Sequence, residues 1–577
     1  MRQLHSKTPS AERMGTAPFG SLKAVAFIAA GLFALGAAAP GAASTRDDRY
    51  FETARSIDLM GDVTRQVAES YVDTVDISRM LYSGIDGMLE TLDPYSVFLD
   101  SEESRELGDL TSNQYAGIGV TIAALDGSIY VTSVEKGWPA ETAGLRTGDR
   151  LTAINGVLLA GKSLDAVREL IRGNVGSPVT LRVQRHGTEP FTCRLVREEV
   201  RLSTVGHAAF LDGNGGIAYI SLTSFADRSG VDLKSALGQL QREAVSRAIP
   251  MQGIILDLRE NPGGLLDAAV DVTGSFVAKG SPVVSIRGRS AAASRSYATS
   301  GPPFDASLPL AVLINARSAS AAEIVAGAVQ DLDRGVIIGE RSFGKGLVQS
   351  VIRLPYENAL KLTTAKYYTP SGRLIQKEAG DAHGSRDVLP RKKAGEGSAE
   401  VFRTASNRKV FGGGGILPDI IATDPEPSPY LESLERKGLL FLHAALWRAS
   451  HPQPPAPADS AALVQSFSGF LETQEFTYRS LADRKLEELK KLLAGEKTDA
   501  AKQAMAVYRT MEVEIAAGRE REIGRASGEV YTALREEVLR HYDERLAAME
   551  GLRHDPVVRK ASEIIARSRT YRKLLSR

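Results

Sequence analysis

The chain has 577 residues, of which 43% are hydrophobic and 24% charged, and its 71 basic and 70 acidic residues give a net charge of +1. These values exclude a wholly disordered chain, a collagen-like repeat and a multi-span membrane protein, and the length predicts three or four domains. The balanced charge gives no field that would attract nucleic acid, so no nucleic-acid partner is expected. The one cysteine, Cys193, excludes an intramolecular disulfide and a cysteine-rich zinc site.

Residues 1–44 have the order of a secretory signal peptide. Basic residues precede an uncharged apolar run at 24–39, and small residues follow it before the charged stretch that begins at Arg46. The pattern predicts cleavage near Ala43 and export to the periplasm or cell envelope. The alternative is an uncleaved anchor that keeps the protein at the membrane, although the run is shorter than a span prefers.

Two segments of different character follow the signal. Residues 45–112 are predicted to form a helical N-terminal arm, because apolar residues recur at helical spacing through 50–110 and a second pattern at 80–92 stops at Asp93-Pro94. Residues 113–198 contain short β-rich runs separated by turn residues, with one helix at 164–171. This pattern predicts a small, partly open β-barrel.

Residues 199–425 alternate apolar strands with helices, which predicts an α/β core whose sheet has parallel crossovers. The helices are expected at 229–245, 265–276 and 321–332, and a polar insertion at 377–400 has the composition of a mobile surface loop. Strands are predicted for the runs IAYISL, GIILDLR, VVSIRG, LAVLIN and VIIGE.

Residues 426–577 are predicted to form a helical C-terminal extension. It contains a proline-rich linker at 452–457, and from residue 460 it is rich in Ala, Glu, Lys, Arg and Leu at helical spacing. We interpret its mixed charges as a solvated face rather than a binding patch.

Ser320 is a candidate nucleophile. It follows a buried-type strand and begins a helical run, where free backbone N–H groups and the helix dipole favour an oxyanion. The alternative is structural, because Ser320 and Glu323 have the spacing of a capping box that closes the helix end.

Lys345 is the candidate base. Within 205–425 the histidines are His207 and His383, so a Ser-His-Asp triad is poorly supplied. Lys345 lies in a Gly-Lys-Gly turn after a predicted strand, where burial would lower its pKa. A solvated loop lysine is the alternative reading. Gln349, four residues later, is of a type that can orient an amine.

Two glycine-rich turns are candidate binding loops. Gly263 and Gly264 follow the strand GIILDL, and their N–H groups can hold an oxyanion, although the same turn is also an ordinary strand-to-helix connection. The run YAGIGV opens the β-module, where the backbone of Gly117, Ile118, Gly119 and Val120 can capture a terminal carboxylate as a peptide adds to the sheet edge. A plain turn into a strand remains the alternative.

Taken together, the motifs closely resemble those of the carboxyl-terminal processing peptidases, or tail-specific proteases, over roughly residues 50–425. The motifs that carry the resemblance stand in the family's order: GMLETLDPYSVFL (87–99), YAGIGV (115–120), PAETAGLRTGDRLTAING (139–156), LDLRENPGGLL (256–266), SASAAEI (318–324), GERSFGKGLVQ (339–349), KYYTPSGRLIQ (366–376) and GILPDI (415–420).

The resemblance implies a multidomain α/β fold: a crotonase-like (ClpP-like) catalytic core at 199–425 with an inserted PDZ domain at 113–198. It also implies site residues. Ser320, and not Ser318, matches the nucleophile, Lys345 the general base and Gln349 the residue that orients it. The oxyanion hole would combine Ala321 with Gly263 or Gly264, of which Gly263 is preferred.

The implied activity is peptide hydrolysis through an acyl-enzyme, without metal or cofactor. The substrates would be proteins with accessible apolar C-terminal tails. The PDZ domain would either recognise these tails or gate their access to the catalytic site. A regulatory or adaptor protein and self-association through the helical segments are further expected partners. Two alternatives stay open: a catalytically inactive PDZ adaptor of the same fold, and a crotonase-like protein that binds small hydrophobic ligands. The presence of both Ser320 and Lys345 argues against each.

Overall fold

The computed structural model describes residues 47–211, 216–377, 400–496 and 498–576. The predicted signal peptide, His383 and most of the polar insertion therefore lie outside the described residues. The chain divides into two compact units, one ending at Gly84 and the other beginning at Ile85. Within the described ranges, no helix combines the length and apolar character needed to cross a membrane.

The segment before the β-module is mainly helical, as predicted. Its elements are α1 (Asp47–Ser70), α2 (Ile77–Leu89), β1 (Val97–Leu99) and α3 (Ser101–Ser112). The strand β1 departs from the helical interpretation of 50–110, and it follows the predicted stop at Asp93-Pro94. Pro94 cannot continue a helix, and the Asp93 carboxylate accepts the N–H groups of Tyr95 and Ser96, which closes a turn.

The β-module contains ten helices and strands. They are β2 (Gln114–Gly117), β3 (Val120–Leu125), β4 (Ser128–Val134), α4 (Pro139–Thr142), β5 (Arg150–Ile154), β6 (Val157–Leu158), α5 (Leu164–Ile171), β7 (Pro178–Gln184), β8 (Phe191–Val196) and β9 (Glu198–Arg201). The main sheet has the order β3-β4-β5-β7-β8, with β6 paired to β5, and β2 pairs β9 separately. Helix α5 has the predicted bounds. The prediction of a single helix is wrong, because Pro139 at the first helical position begins α4.

The described part of the α/β core contains two large sheets and one separate two-stranded sheet. Its elements are β10 (Val205–Phe210), β11 (Ile217–Leu222), α6 (Ser229–Ser246), β12 (Gly253–Asp257), α7 (Leu266–Thr273), β13 (Pro282–Gly288), β14 (Arg295–Ala298), β15 (Leu310–Ile314), α8 (Ala321–Asp331), β16 (Val336–Gly339), β17 (Leu347–Arg353), β18 (Ala359–Tyr368), β19 (Val401–Arg403), β20 (Lys409–Phe411) and β21 (Ile420–Ile421). One sheet has the order β10-β11-β12-β15-β16-β21, parallel except at β10. The other has the order β1-β18-β13-β14, with β17 also on β18. The predicted strand VVSIRG, β13, therefore leaves the parallel sheet for an antiparallel one.

The parallel sheet is buried on both faces, which explains why its strands are continuous apolar runs. Alternate residues point to opposite sides: Ile220 and Val312 pack with α6, α7 and α8, whereas Ile255 and Leu313 pack against the C-terminal helices. The carboxyl ends of these strands share one edge, where strand-to-helix turns meet.

The C-terminal extension is helical throughout, as predicted. Its helices are α9 (Pro429–Arg436), α10 (Leu439–Ser450), α11 (Ser460–Thr473), α12 (Leu481–Gly495), α13 (Asp499–Arg540), α14 (Glu544–His554), α15 (Pro556–Ala566) and α16 (Ser568–Leu575). The proline-rich segment is packed rather than free, because Arg535 donates to the carbonyls of Pro455 and Ala456. Helix α10 also contacts the β-module, where the rings of Phe441 and Tyr130 meet edge to face with centroids 5.8 Å apart.

The last two helices form the second layer of the parallel sheet. Val558 and Ile565 of α15 are buried against the sheet face that α6 to α8 leave open. The Tyr571 hydroxyl donates to the Leu310 carbonyl at 3.1 Å and accepts the Leu310 N–H at 2.8 Å. The interpretation of the extension as a solvated face therefore does not apply to these helices.

Candidate active site

Ser320 lies at the carboxyl edge of the parallel sheet, between β15 and α8. Its backbone has φ 53° and ψ −113°, a region that costs a non-glycine residue on the order of 1–3 kcal/mol. Ala321 is the first residue of α8, so its N–H has no acceptor within the helix, and the positive end of the helix dipole lies beside the serine. Ser318, in contrast, is fully buried, and its hydroxyl donates to the Leu258 carbonyl at 2.7 Å.

The glycine pair after β12 approaches this serine. A Cβ atom on Gly263 would come within 2.8 Å of the Ser320 Cβ and 2.9 Å of the Ala321 nitrogen, whereas one on Gly264 would meet the Phe225 oxygen at 2.1 Å. The Gly263 N–H donates to the Asn261 side-chain oxygen at 2.8 Å. The hydrogen bonds among the described residues give the Gly264 N–H no acceptor. The structure therefore places Gly263 beside the serine, while the choice between the Gly263 and Gly264 N–H groups as oxyanion donor stays a prediction.

Lys345 is half-buried in the turn before β17. Its Nζ atom lies 4.6 Å from the centroid of the Tyr95 ring. Burial lowers the pKa of the Lys345 amine, and the positive charge of Lys361 lowers it further, while the charges of Asp93 and Glu323 raise it. The net shift is downward, towards the neutral form that a general base requires.

Gln349 lies on β17, paired with Thr363 of β18. Its side-chain nitrogen donates to the Thr363 hydroxyl at 3.5 Å. Among the described residues, no hydrogen bond joins the Lys345 amine to Ser320 or to Gln349. Within the described ranges, the side chains of the three residues are therefore not joined by hydrogen bonds.

Glu323 connects the two halves of this site, a role that the sequence analysis missed by treating it as a helix cap alone. Its fully buried carboxylate accepts the backbone N–H groups of Ser320 at 2.8 Å, Gly344 at 2.7 Å and Lys345 at 2.9 Å, and the Ser342 hydroxyl at 2.6 Å. Burial raises the pKa of Glu323 to about 7, although these four donors lower it. One side chain therefore bonds the backbones of both the serine and the lysine.

The histidine alternative gains no support from the structure. His207 lies on the edge strand β10, beside Tyr219, with ring centroids 6.3 Å apart. Burial and the charge of Arg545 lower its pKa, and the charge of Asp543 raises it. These neighbours belong to the C-terminal helices and not to the turn of Ser320. Among the described residues, no group of histidine, cysteine, aspartate and glutamate side chains is arranged to hold a metal ion.

An ion cluster ties the turn after β12 to the C-terminal helices. Arg259 is mostly buried and binds Asp257 and Asp555 at 2.6 Å each and Asp424 at 2.8 Å. Asp555 also caps the start of α15 by accepting two backbone N–H groups. The extension is therefore bonded to the segment that leads into the glycine pair.

A cleft of about 1360 Å³ opens beside the lysine turn. Its walls are the segment around Tyr95 and the residues that flank Lys345, among them the apolar side chains of Leu92, Phe343 and Leu347. A volume of this size exceeds that of a typical small-molecule pocket and accommodates a peptide segment.

The glycine-rich loop of the β-module has the residues predicted for tail binding. Ile118 is fully buried in the module core, while Gly119 has φ 77° and a Cβ atom there would come within 2.6 Å of the Trp138 side chain. Gly117 ends β2 and Val120 begins β3. The loop therefore leads directly into the edge strand of the main sheet.

Tyr115 covers this loop. Its ring lies so close to Gly117 that a Cβ atom there would come within 2.5 Å of it. Burial raises the pKa of the Tyr115 phenol to about 12, although the nearby backbone N–H groups of Gly119 and Val120 lower it. The phenol therefore lies near the N–H groups that the sequence analysis predicted to bind a tail carboxylate.

Three family models match the sequence: peptidase family S41 at residues 216–383, a PDZ domain at 130–185, and the C-terminal helical domain of probable PDZ-proteases at 430–565. The chain is 37% identical over 363 residues to a carboxy-terminal-processing protease of Bartonella bacilliformis, covering 62% of this chain and 80% of that protein. It is 33% identical to the carboxy-terminal processing protease CtpB of Bacillus subtilis, covering 59% and 69%.

Among solved structures, the chain is similar to the photosystem II D1 C-terminal processing protease, with 28% identity, a TM-score of 0.33, and coverage of 63% of this chain and 87% of that one. It is also similar to the PDZ domain of a carboxy-terminal protease from Vibrio cholerae, solved in complex with a peptide, with 31% identity, a TM-score of 0.15, and coverage of 15% and 99%.

Proposed function

This chain belongs to peptidase family S41, among the carboxy-terminal processing proteases, and from that premise we propose that it cleaves exported proteins near their C-termini with Ser320 and Lys345 as its catalytic pair. The observation that carries the proposal is the strained backbone of Ser320 at the start of α8. It lies against Gly263, where any side chain would collide with the serine. Strain of this kind concentrates at active sites.

The proposed reaction is acyl transfer to serine and then to water. Neutral Lys345 takes the Ser320 proton as Oγ forms a bond to the scissile carbonyl carbon. The oxyanion accepts N–H bonds from Ala321 and the Gly263-Gly264 turn. Lys345 then gives its proton to the amine nitrogen as the C–N bond breaks, and water hydrolyses the ester with the lysine again as base.

The productive state requires a rearrangement of side chains. The Lys345 amine lies over the Tyr95 ring and Gln349 bonds Thr363, so the amine must turn towards Ser320 and the Gln349 side chain towards the amine. Rotamer changes of this size are ordinary in catalytic sites that tighten when substrate binds.

We propose that residues 113–198 act as the PDZ domain, which binds apolar C-terminal tails or gates access to the site, and that its strands form a partly open barrel. The core at 199–425 is proposed to be crotonase-like. The segments at 45–112 and 426–577 are proposed to be a helical arm and a helical extension. The signal-like composition of 1–44 supports export to the periplasm or cell envelope. A regulatory protein and self-association through the helical segments belong to the same proposal.

The test compares cleavage of one exported substrate ending in Ala-Ala by the wild type, Ser320→Ala and Lys345→Arg. Both variants are expected to lose cleavage and keep tail binding. Ser320→Ala lacks the nucleophile, and the guanidinium of Lys345→Arg does not lose its proton. Ser350→Ala is the matched control, since that hydroxyl bonds Thr364 on the neighbouring strand. Cleavage by Ser320→Ala would refute the proposal, and a wild type that binds tails without cutting them would indicate the adaptor alternative.

A further inference from the structure

Tyr367 is a buried tyrosine on β18 whose hydroxyl reaches the backbone of both members of the proposed pair. Only 1% of the residue is exposed. Its hydroxyl lies 3.1 Å from the Ser320 carbonyl oxygen and also bonds the Lys345 carbonyl oxygen. The Tyr367 N–H donates to the Gly346 carbonyl at 3.0 Å. The same residue thus holds the lysine turn from its backbone and from its side chain.

These contacts complement those of Glu323. The carboxylate of Glu323 accepts the N–H groups of Ser320 and Lys345. The Tyr367 hydroxyl shares its one proton between the carbonyl oxygens of the same two residues. The peptide units on both sides of each residue are therefore fixed by one of two buried side chains. Burial raises the pKa of the Tyr367 phenol well above its ordinary value, so the hydroxyl keeps the proton that it donates.

We propose that Tyr367 is a positioning residue that sets the separation of Ser320 and Lys345. The inference rests on the proposed function, since it takes these two residues as the catalytic pair. Tyr367 touches no reacting atom and acts through the backbone of the pair.

The loss of the hydroxyl would affect the two carbonyls differently. The Ser320 carbonyl also accepts the Ile324 N–H at 3.0 Å within α8, so it keeps a partner. The Lys345 turn depends on Tyr367 more directly, and a small shift of that turn moves the amine relative to the serine. Misplacement of a catalytic group by about 1 Å costs up to about a hundredfold in rate.

The experiment compares Tyr367→Phe with Tyr368→Phe as the matched control, using a quenched peptide that ends in Ala-Ala. Tyr368 is the next residue on the same strand, and its ring lies under the Arg287 guanidinium, 4.1 Å from its centroid. We expect Tyr367→Phe to lower kcat about tenfold to a hundredfold, with KM within about twofold and a displaced pH limb of kcat/KM. We expect Tyr368→Phe to match the wild type. Tyr367→Phe should melt at a somewhat lower temperature, because it loses a buried hydrogen bond, and should stay folded at the assay temperature.

Unchanged kcat in a folded Tyr367→Phe would overturn the proposal, as would a loss of kcat that only follows the unfolded fraction. If the phenylalanine variant does not fold, para-aminophenylalanine at position 367 restores a donor in the same place. A folded para-amino variant should keep kcat within about tenfold of the wild type, and a folded but inactive one would overturn the inference. Ser320→Ala in the same assay separates the two proposals: if it still cleaves, the proposed function fails, whereas an inactive Ser320→Ala with a fully active Tyr367→Phe refutes the positioning role alone.

Discussion

Replacement of Tyr95 by leucine is expected to make the protease more active near neutral pH. The Lys345 amine lies 4.6 Å from the Tyr95 ring centroid, a contact that stabilises the ammonium form and not the neutral amine. The ring contact therefore favours a higher pKa of the Lys345 amine. Asp93 and Glu323 also raise this pKa, whereas burial and the charge of Lys361 lower it. Leucine keeps an apolar neighbour, so the burial stays while the ring contact is lost.

The size of the effect follows from the contact. A cation–π interaction at a half-buried site contributes about 1 kcal/mol, and 1.36 kcal/mol corresponds to one pKa unit. Removal of the ring should lower the pKa of Lys345, because the ammonium form loses that stabilisation. Because the proposed mechanism uses the neutral amine, kcat/KM on the acid side of the limb should rise about fivefold, with the plateau above the limb unchanged.

The assay is the pH profile of kcat/KM on a quenched peptide that ends in Ala-Ala, for the wild type, Tyr95→Leu and Tyr95→Phe. Phenylalanine keeps the ring and loses only the hydroxyl, so its limb should coincide with that of the wild type. A leucine limb that stays in place or moves to higher pH would refute the reasoning. An equal shift in the phenylalanine variant would assign the effect to the hydroxyl instead.

Two further predictions concern the β-module and the last helix. Tyr115→Phe should strengthen the binding of a peptide ending in Ala-Ala about fivefold, the equivalent of roughly 1 kcal/mol for one hydrogen bond, because it removes the phenol oxygen that lies near the N–H groups of Gly119 and Val120. Calorimetry with Tyr130→Phe as control measures this, and weaker binding would contradict it. Tyr571→Phe should lower the free energy of unfolding by about 1–3 kcal/mol, since the buried Leu310 N–H loses its acceptor, and urea unfolding with an unchanged midpoint would contradict that.

The sequence predicts the elements of the parallel sheet well because those strands are buried on both faces and read as unbroken apolar runs. It also indicates which residues meet at the carboxyl edge, since Ser320 and Gly263 each follow such a strand. The departure of β13 to a second sheet was not predicted. Its run VVSIRG includes Ser285 and Arg287 and is less apolar than the strands of the parallel sheet, but only the fold shows that it pairs with β18.

The parts of the site that escaped prediction are those with more than one physical explanation. Glu323 has the spacing of a helix cap, and only the fold shows that its carboxylate also bonds the lysine turn. Tyr367 lies in an apolar strand and looks like an ordinary core residue in the sequence. Its two carbonyl partners lie 47 and 22 residues away. Contacts of this range depend on tertiary packing, which periodicity and local motifs do not encode.

The position of α15 and α16 has a consequence for the order in which the enzyme is made. The strands that carry Ser320 and the glycine pair end well before residue 340, yet one face of their sheet is covered by residues 557–571, close to the end of the chain. Until those residues have been synthesised and released, that face stays open and Arg259 lacks Asp555. In a nascent chain the sheet that carries Ser320 would therefore stay unfinished while more than two hundred further residues are synthesised, and folding of this core waits for residues 557–571.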